Sequence, residues 1–450
     1  MSSCTTGGDN VAMGYHSLVL STTGANNIAL GTNALYSSTT SSYNVGIGKN
    51  ALYSNTTGAS NVAIGGLALD ANTTASNNTA VGYDSMGSNT TGAENVAVGG
   101  YTLTNNTTGN YNTAIGYSTL GANTTAHNNT GCGFRALGSN TTGGSQVAVG
   151  FNALRLNTTG NNNTATGYSA LYETTTGGNN TAVGHEALLN NTTGGNNTAV
   201  GMYALKQVTT GSGNTAFGYN AGRSRTTANN MTAVGYASLY NATTADQNVG
   251  VGDNTLYSNV TSANNVAVGT NALYSCTGEN NTAVGRYANM LLTTANANQS
   301  FGYMAGYHTT TGDGNINLGG SPSTATASYE ITLGTTSHST LRCNDTSIGS
   351  LSDRRDKTDI IDLPVGLNFL NTLKPRQFKW KTRDGNIKDN TVRCGFIAQE
   401  FQDAEKDYKY LKLVYDENPN RLEANEGHLI PVLVKAIQEL SAKVTALEAA

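Results

Sequence analysis

Few side chains in this sequence are spaced to do chemistry. The six histidines (His16, His127, His185, His308, His338, His428) show no metal-ligand spacing. The five cysteines (Cys4, Cys132, Cys276, Cys343, Cys394) include no CxxC pair and no accompanying histidine, so neither a disulfide framework nor a zinc site is expected. Cys132 fills a slot that is usually Val or Ile and reads as a small core hydrophobe. Asp70, Asp84, Glu94, Glu173 and Glu186 do not recur in register, which predicts no paired-carboxylate glycosidase site. No metal and no cofactor is implied. What is left is Ser352 with Lys357 five residues on. A serine hydroxyl becomes a nucleophile when a base takes its proton, and a lysine can serve if burial lowers its pKa. The pattern S-x-x-x-x-K is weak by itself, and the neighbouring Asp356 favours the charged ammonium.

The elements that would carry such residues divide the chain in two. Residues 1–340 contain 7 Lys/Arg and 11 Asp/Glu, whereas residues 341–450 contain 17 of each. All five prolines lie after residue 321. A proline removes a donor from a hydrogen-bonded ladder, so their absence suits continuous strand stacking over the first part. The net charge of −4 with no basic block argues against nucleic acid as a partner. No apolar run is long enough for a membrane span, and MSSCTTGGDN lacks the apolar region of a signal peptide. Neither membrane insertion nor conventional secretion is expected.

The first part is a repeat. From Gly14 to Gly269 a glycine recurs in fifteen steps of 17 residues; one step of 16 reaches Gly285, two of 17 reach Gly319, and two of 15 reach Gly334 and Gly349. A unit such as GKNALYSNTTGASNVAIG (48–65) holds two apolar runs, A-L-Y and V-A-I, parted by turn residues, and reads as strand, turn, strand, turn. Such a unit cannot bury its own apolar face, so coils must stack as parallel strands, about nineteen of them over roughly 90 Å at the usual strand spacing. Val62 and Ile64 face one way and Ala63 the other. Neither face is polar, and the expectation is branched residues inside the coil with alanines against a neighbouring chain. A homo-oligomer follows, with threefold symmetry the simplest closed choice. The N-T-T segments match a glycosylation acceptor but read as turns whose Asn and Thr stack from coil to coil. Thr56 and Thr57 are adjacent and face opposite ways, which disfavours a flat ice-binding array. Tyrosines recur after the glycine (Tyr83, Tyr117, Tyr168, Tyr236) and four residues later (Tyr36, Tyr53, Tyr257, Tyr274), as ladders that pack the shaft or a seam, or that stack on sugars.

Here the chain resembles the head repeats of trimeric autotransporter adhesins, whose N-S-V-A-I-G signature is similar to Asn61-Val62-Ala63-Ile64-Gly65 and Asn180-Thr181-Ala182-Val183-Gly184. The resemblance covers residues 10–319 and implies a trimeric left-handed parallel β-roll, although those repeats are typically shorter.

The second part reads as ordinary globular protein. Leu363 to Leu373 is helix-like, Gln377 to Lys381 alternates like a strand, and Val392 to Gln402 reads as a strand running into a helix. Ile430, Leu433, Ile437, Leu440, Val444 and Leu447 are spaced 3-4-3-4-3, the a/d seam of a coiled coil over about 430–448. Three blocks resemble the endosialidase-type intramolecular chaperone family: Ser352-Asp353-Arg354-Arg355-Asp356-Lys357 with Thr358-Asp359-Ile360, Gly395 to Glu400, and Leu429 to Leu440. The resemblance spans 352–448. It implies that this part trimerises the preceding fibre and then cuts itself off at Leu351–Ser352, with Ser352 as nucleophile assisted by Lys357.

The expected fold class is therefore mainly β: a shaft of 17-residue coils over 1–320, a β-rich bridge over 321–351, and a small α+β chaperone domain over 352–450. The expected function is a viral (tailed-phage) tail fibre or spike, a homotrimer located in the virion. It would attach to a host cell-surface receptor, a glycan or outer-membrane component, and perform one self-cleavage with no external substrate. Repeats begin by residue 10, which suggests a distal segment joined to another fibre or baseplate protein. The alternatives are a bacterial trimeric surface adhesin, which should end in membrane-barrel strands, and a fibre with glycan-degrading activity.

Overall fold

The computed structural model describes residues 5–322, 324–335, 354–379, 392–416 and 422–449, which fall into two units, Met1–Leu333 and Gly334–Ala450. The first is a parallel β-solenoid. Each coil places one three-residue strand against the next, from β1 (Val11–Met13) through β4 (Val62–Ile64) to β20 (Ile331–Leu333), in one 20-stranded sheet. Register follows the 17-residue period, as in Val62↔Thr79, and survives the 16-residue step as Val266↔Thr282. The strand closing the first 15-residue step, β20, still pairs with β19 (Ile316–Leu318), so the ladder runs past residue 320.

The coil differs from expectation in two ways. The A-L-Y run is not a second strand. Asn50 and Leu52 sit at φ 60° and 53°, and the same two positions repeat this along the shaft. Left-handed backbone costs a non-glycine residue on the order of 1–2 kcal/mol. Here the curl sends the Asn50 amide to Thr32 O on the preceding coil (3.0 Å) and the Leu52 amide to Ala68 O on the following one (3.0 Å). Hydrogen bonds along the axis thus extend well beyond the three strand residues.

Second, the faces of the strand are reversed. Ala63 is fully buried and Ile64 is 37 % exposed, so the alanines point into the coil and the branched residues point out. The reason is thickness. At Gly46, which holds the alanine slot, a Cβ would stand 3.3 Å from Leu35 Cγ across the coil, leaving room for a methyl and no more. The core is an alanine column facing a leucine column (Leu35, Leu52, Leu69). Cys132 occupies an outward strand position and is half-buried; it is not the core hydrophobe expected. Among the described residues the buried thiol is Cys276, in a slot usually held by Asn, and burial pushes it up to about 11.

The N-T-T turns stack as expected. Asn72 Nδ2 donates to Asn55 Oδ1 one coil away (2.9 Å) and to Ala75 O (3.0 Å), while Thr56 Oγ1 donates to Thr73 O (3.1 Å). A second column does the same before the strand: Asn61 donates from its amide N and from Nδ2 to Asn44 Oδ1 (2.9 and 3.2 Å). The closing glycine has φ +136° at Gly65, where a Cβ would lie 2.6 Å from the Gly82 carbonyl carbon. Only glycine fits a coil-to-coil approach that close.

The second unit is small. The helix-like segment forms one turn, α1 (Leu367–Leu370). The strand β21 (Arg376–Phe378) pairs antiparallel with β22 (Arg393–Gly395), which leads into α2 (Ala398–Ala404). A two-residue pair, β23 (Val414–Tyr415) and β24 (Glu423–Ala424), precedes the twenty-residue helix α3 (Leu429–Glu448). Val365, Phe369, Phe401, Leu413, Leu429 and Val432 form the core.

Candidate functional site

The residues expected to do chemistry stand at the head of the second unit. Arg354–Asp356 forms one 3-10 turn, closed by Lys357 N donating to Arg354 O (3.2 Å), and Lys357 is exposed. Leu351, Ser352 and the side chain of Asp356 lie outside the described residues, so the Ser–Lys pair has no geometry here.

The long helix is better defined. One side of α3 buries Leu429, Val432 and Ala436 against the unit's own core. Glu439 Oε2 accepts from Leu367 N (2.8 Å) at the start of α1, and a Cβ on Gly366 would fall about 2.6 Å from that carboxylate. These contacts fix which way α3 turns. Ile430, Leu433, Ile437, Leu440, Val444 and Leu447 consequently face away from the core, with Ile430 63 % and Ile437 65 % exposed. Arg376 donates Nε to both oxygens of Glu400 (2.9 and 3.1 Å) and holds that carboxyl below its usual range, chiefly by hydrogen bonding. Glu405 is buried and accepts from Leu413 N (2.6 Å).

On the solenoid, the tyrosine slots become stacked columns. Tyr36 lies on Tyr53 (5.2 Å between ring centres), and Tyr240, Tyr257 and Tyr274 stack likewise. The column after the glycine is longer than tyrosine alone suggests: it runs from Tyr83 to Tyr236 through Phe134, Phe151 and His185. Where the slot holds Gly100 or Met202, Tyr101 or Tyr203 from the next position fills the gap with its ring turned.

Two arrangements were not legible from sequence. Asp70 and Asp84 occupy different positions in their repeats, yet stacking brings both carboxylates towards Gly87. Burial, and then the charge of Asp84, push the Asp70 carboxyl up; burial pushes up Asp84. Arg225 replaces an asparagine of the N-T-T column and is fully buried. It donates Nη2 to Ala245 O, while Nε and Nη1 lack partners, and burial brings it down to about 10.

Residues 352–411 match the family described as chaperone of endosialidase. The match takes in Ser352 and Lys357 and stops short of α3. No curated protein matches the chain.

Proposed function

From a chain that carries a chaperone-of-endosialidase domain behind a parallel β-solenoid, we propose a homotrimeric phage tail fibre or spike that attaches to a host surface. Its C-terminal unit aligns three chains and then releases itself. One observation carries the reading: α3 turns an unbroken apolar seam, Ile430 to Leu447, away from its own core. Apolar residues repeating at a/d spacing on an exposed face are covered when parallel helices associate. The shaft offers a matching surface, because the outward strand position is Ile64, Val98, Ile115, Val149 and Val183 in successive or nearby coils, all exposed. A ladder of this kind along a solenoid suits burial against a second and third copy.

In the cleavage step, Ser352 Oγ attacks the Leu351 carbonyl carbon as Lys357 takes its proton. The C–N bond to Ser352 breaks, and the amine leaves protonated as an ester forms on Oγ. Water then hydrolyses the ester, leaving a carboxylate on Leu351 and restoring the hydroxyl. Intact-mass analysis of the full-length product, with sedimentation in parallel, tests both halves. The expected result is a trimeric 1–351 shaft and a fragment beginning at Ser352. The Ser352→Ala variant should be uncut and still trimeric. Cleavage persisting in that variant removes the nucleophile; a monomeric wild type removes the fibre.

A further inference from the structure

The post-glycine aromatic column is nearly parallel over most of its length. Tyr117–Phe134, Phe134–Phe151, Phe151–Tyr168 and Tyr168–His185 meet at 10°, 10°, 3° and 10°. Rings stacked this way direct their faces chiefly at one another along the column. The column breaks at Tyr101, which stands at 69° to Tyr83 and 75° to Tyr117, and at Tyr203, which stands at 88° to His185. A ring turned across the column directs its faces away from its neighbours.

The two breaks differ in what meets those faces. At Tyr203, Lys206 Nζ lies 4.7 Å and the Arg223 guanidinium 5.2 Å from the ring centre, so two cations already occupy it. Tyr101 is 40 % exposed and lines an open groove of about 380 Å³, within the roughly 300–1,000 Å³ usual for small-molecule sites. Asn105, Ser118 and Arg135 line the same groove, with Gly121 and Gly138. The groove has polarity. Arg135 is at one end, with Arg155 Nη1 3.2 Å from where a Gly138 Cβ would be, whereas Asp84 and Asp70 lie towards the other. Arg135, whose guanidinium lies 5.1 Å from the Phe134 ring centre, is the cation of the groove lining, and Arg155, donating to Ser139 Oγ (2.7 Å), stands beside it.

We infer that this groove binds a saccharide bearing a carboxylate or phosphate, with a sugar face on Tyr101 and the acidic group at Arg135. An open ring face, an amide, a hydroxyl and a guanidinium are the groups that such a ligand uses. An extended peptide is a poorer fit, because the backbone is already committed: Tyr101 N donates to Tyr83 O (2.9 Å) and Ser118 N to Gly100 O (3.0 Å), leaving no free strand edge. One lining arginine is also too few for a polyphosphate chain. The inference rests on the attachment reading and gives it a ligand class.

The full-length protein is titrated against hexuronic-acid and phosphate-bearing oligosaccharides, each beside its carboxyl-reduced or dephosphorylated counterpart; the two series separate the two sources of charge. Acidic members should bind at least tenfold more tightly than neutral ones. Tyr101→Asn should weaken both at least tenfold, Arg135→Asn should abolish only the preference for charge, and Tyr203→Asn should change neither. All three positions have φ between 54° and 61°, a conformation asparagine tolerates. The inference is overturned if no oligosaccharide binds, if Tyr101→Asn binds like wild type, or if the preference survives Arg135→Asn. Sedimentation of the same samples keeps the readings apart: a trimer that binds nothing loses only the groove, and a monomer loses the fibre.

Discussion

Asn180 tests whether the inner asparagine column holds the coils together. Its amide N and Nδ2 donate to Asn163 Oδ1 (3.0 and 3.1 Å), Nδ2 also donates to Gly194 O (2.9 Å), and Oδ1 accepts from Asn197 N (3.0 Å). The side chain is fully buried, so no water can replace a lost bond. In Asn180→Ala, Asn197 N loses its acceptor, whereas Gly194 O keeps Asn191 Nδ2 as a donor (3.1 Å); at about 1–3 kcal/mol for a buried orphan, the loss should be about 1–3 kcal/mol. Asn180→Asp separates hydrogen bonding from shape. Protonated, the carboxyl donates to Gly194 O and accepts from Asn197 N, much as asparagine does. Ionised, it faces two acceptors, Gly194 O and Asn163 Oδ1, so its folded pKa must rise above the unfolded value of about 3.9. The folded state then holds the proton more tightly, and stability falls as pH rises through that value. Urea unfolding at pH 3.5 and pH 7 measures the difference. Amide exchange should localise it to coils near residue 180, since solenoid coils contact only their neighbours. Equal stability of wild type and Asn180→Asp at pH 7 would refute the reasoning, as would a loss below about 0.5 kcal/mol in Asn180→Ala.

Three further outcomes are expected. Gly65→Ala puts a methyl 2.6 Å from the Gly82 carbonyl carbon at φ +136°, and should lower the urea midpoint by the equivalent of at least about 2 kcal/mol. Arg225→Met should be more stable at pH 7 by about 1–4 kcal/mol, because it removes a buried cation with two unpaired nitrogens. The folded state of the wild type gives up that proton at about 10, before the unfolded chain does, so its deficit should shrink as pH rises above 10. Asp70→Asn should stabilise at pH 7, since the folded carboxyl is raised and loses stability as pH climbs above the unfolded value; thermal melts at pH 3.5 should show no gain.

The period of the shaft was legible because glycine at φ near +135° has no substitute; a residue that cannot vary marks every coil. Which strand face lies inside was not. Alternation shows that Val62 and Ile64 differ in direction from Ala63, but the inward direction depends on coil thickness, set by Leu35 and its column on the far side. Leu52 misled for a related reason: in sequence it belongs to a strand-like run, and its left-handed backbone is held only by the coils above and below. Asp70 and Asp84 show the limit of counting positions, because their side chains converge from different slots on adjacent coils. In the second unit, the spacing of Ile430 to Leu447 was readable as helix. That this face points outward depends on Glu439 meeting Leu367, 72 residues earlier in the chain. Ser352 and Lys357 were expected only through family resemblance, as a pair five residues apart has no distinctive pattern.

These features explain why such a shaft needs an aligning unit, given the trimer proposed here. The outward ladder hardly changes along the axis: Val149, Val183 and Val284 offer almost the same surface to a neighbour. Sliding one chain by a whole coil, about 4.8 Å, would at most contacts replace valine by valine or isoleucine and cost little there. Irregular coils remove little of the ambiguity. Arg225, Met231 and Cys276 are all buried within their own chain, and the outward position carries an aromatic ring at Phe217 and Phe301. The aromatic column adds sparse marks, at its ends Tyr83 and Tyr236 and at Tyr101 and Tyr203, six coils apart. Such sparse marks leave most of the register to come from outside the repeats. An a/d seam supplies it, since a slip along α3 sets large apolar knobs against the wrong holes and exposes a seam residue at each end. Breaking that seam with Leu433→Glu and Ile437→Glu should leave the strand signature intact by circular dichroism while giving a ladder of mismatched oligomers in sedimentation. A single trimeric species in that variant would place register in the shaft itself.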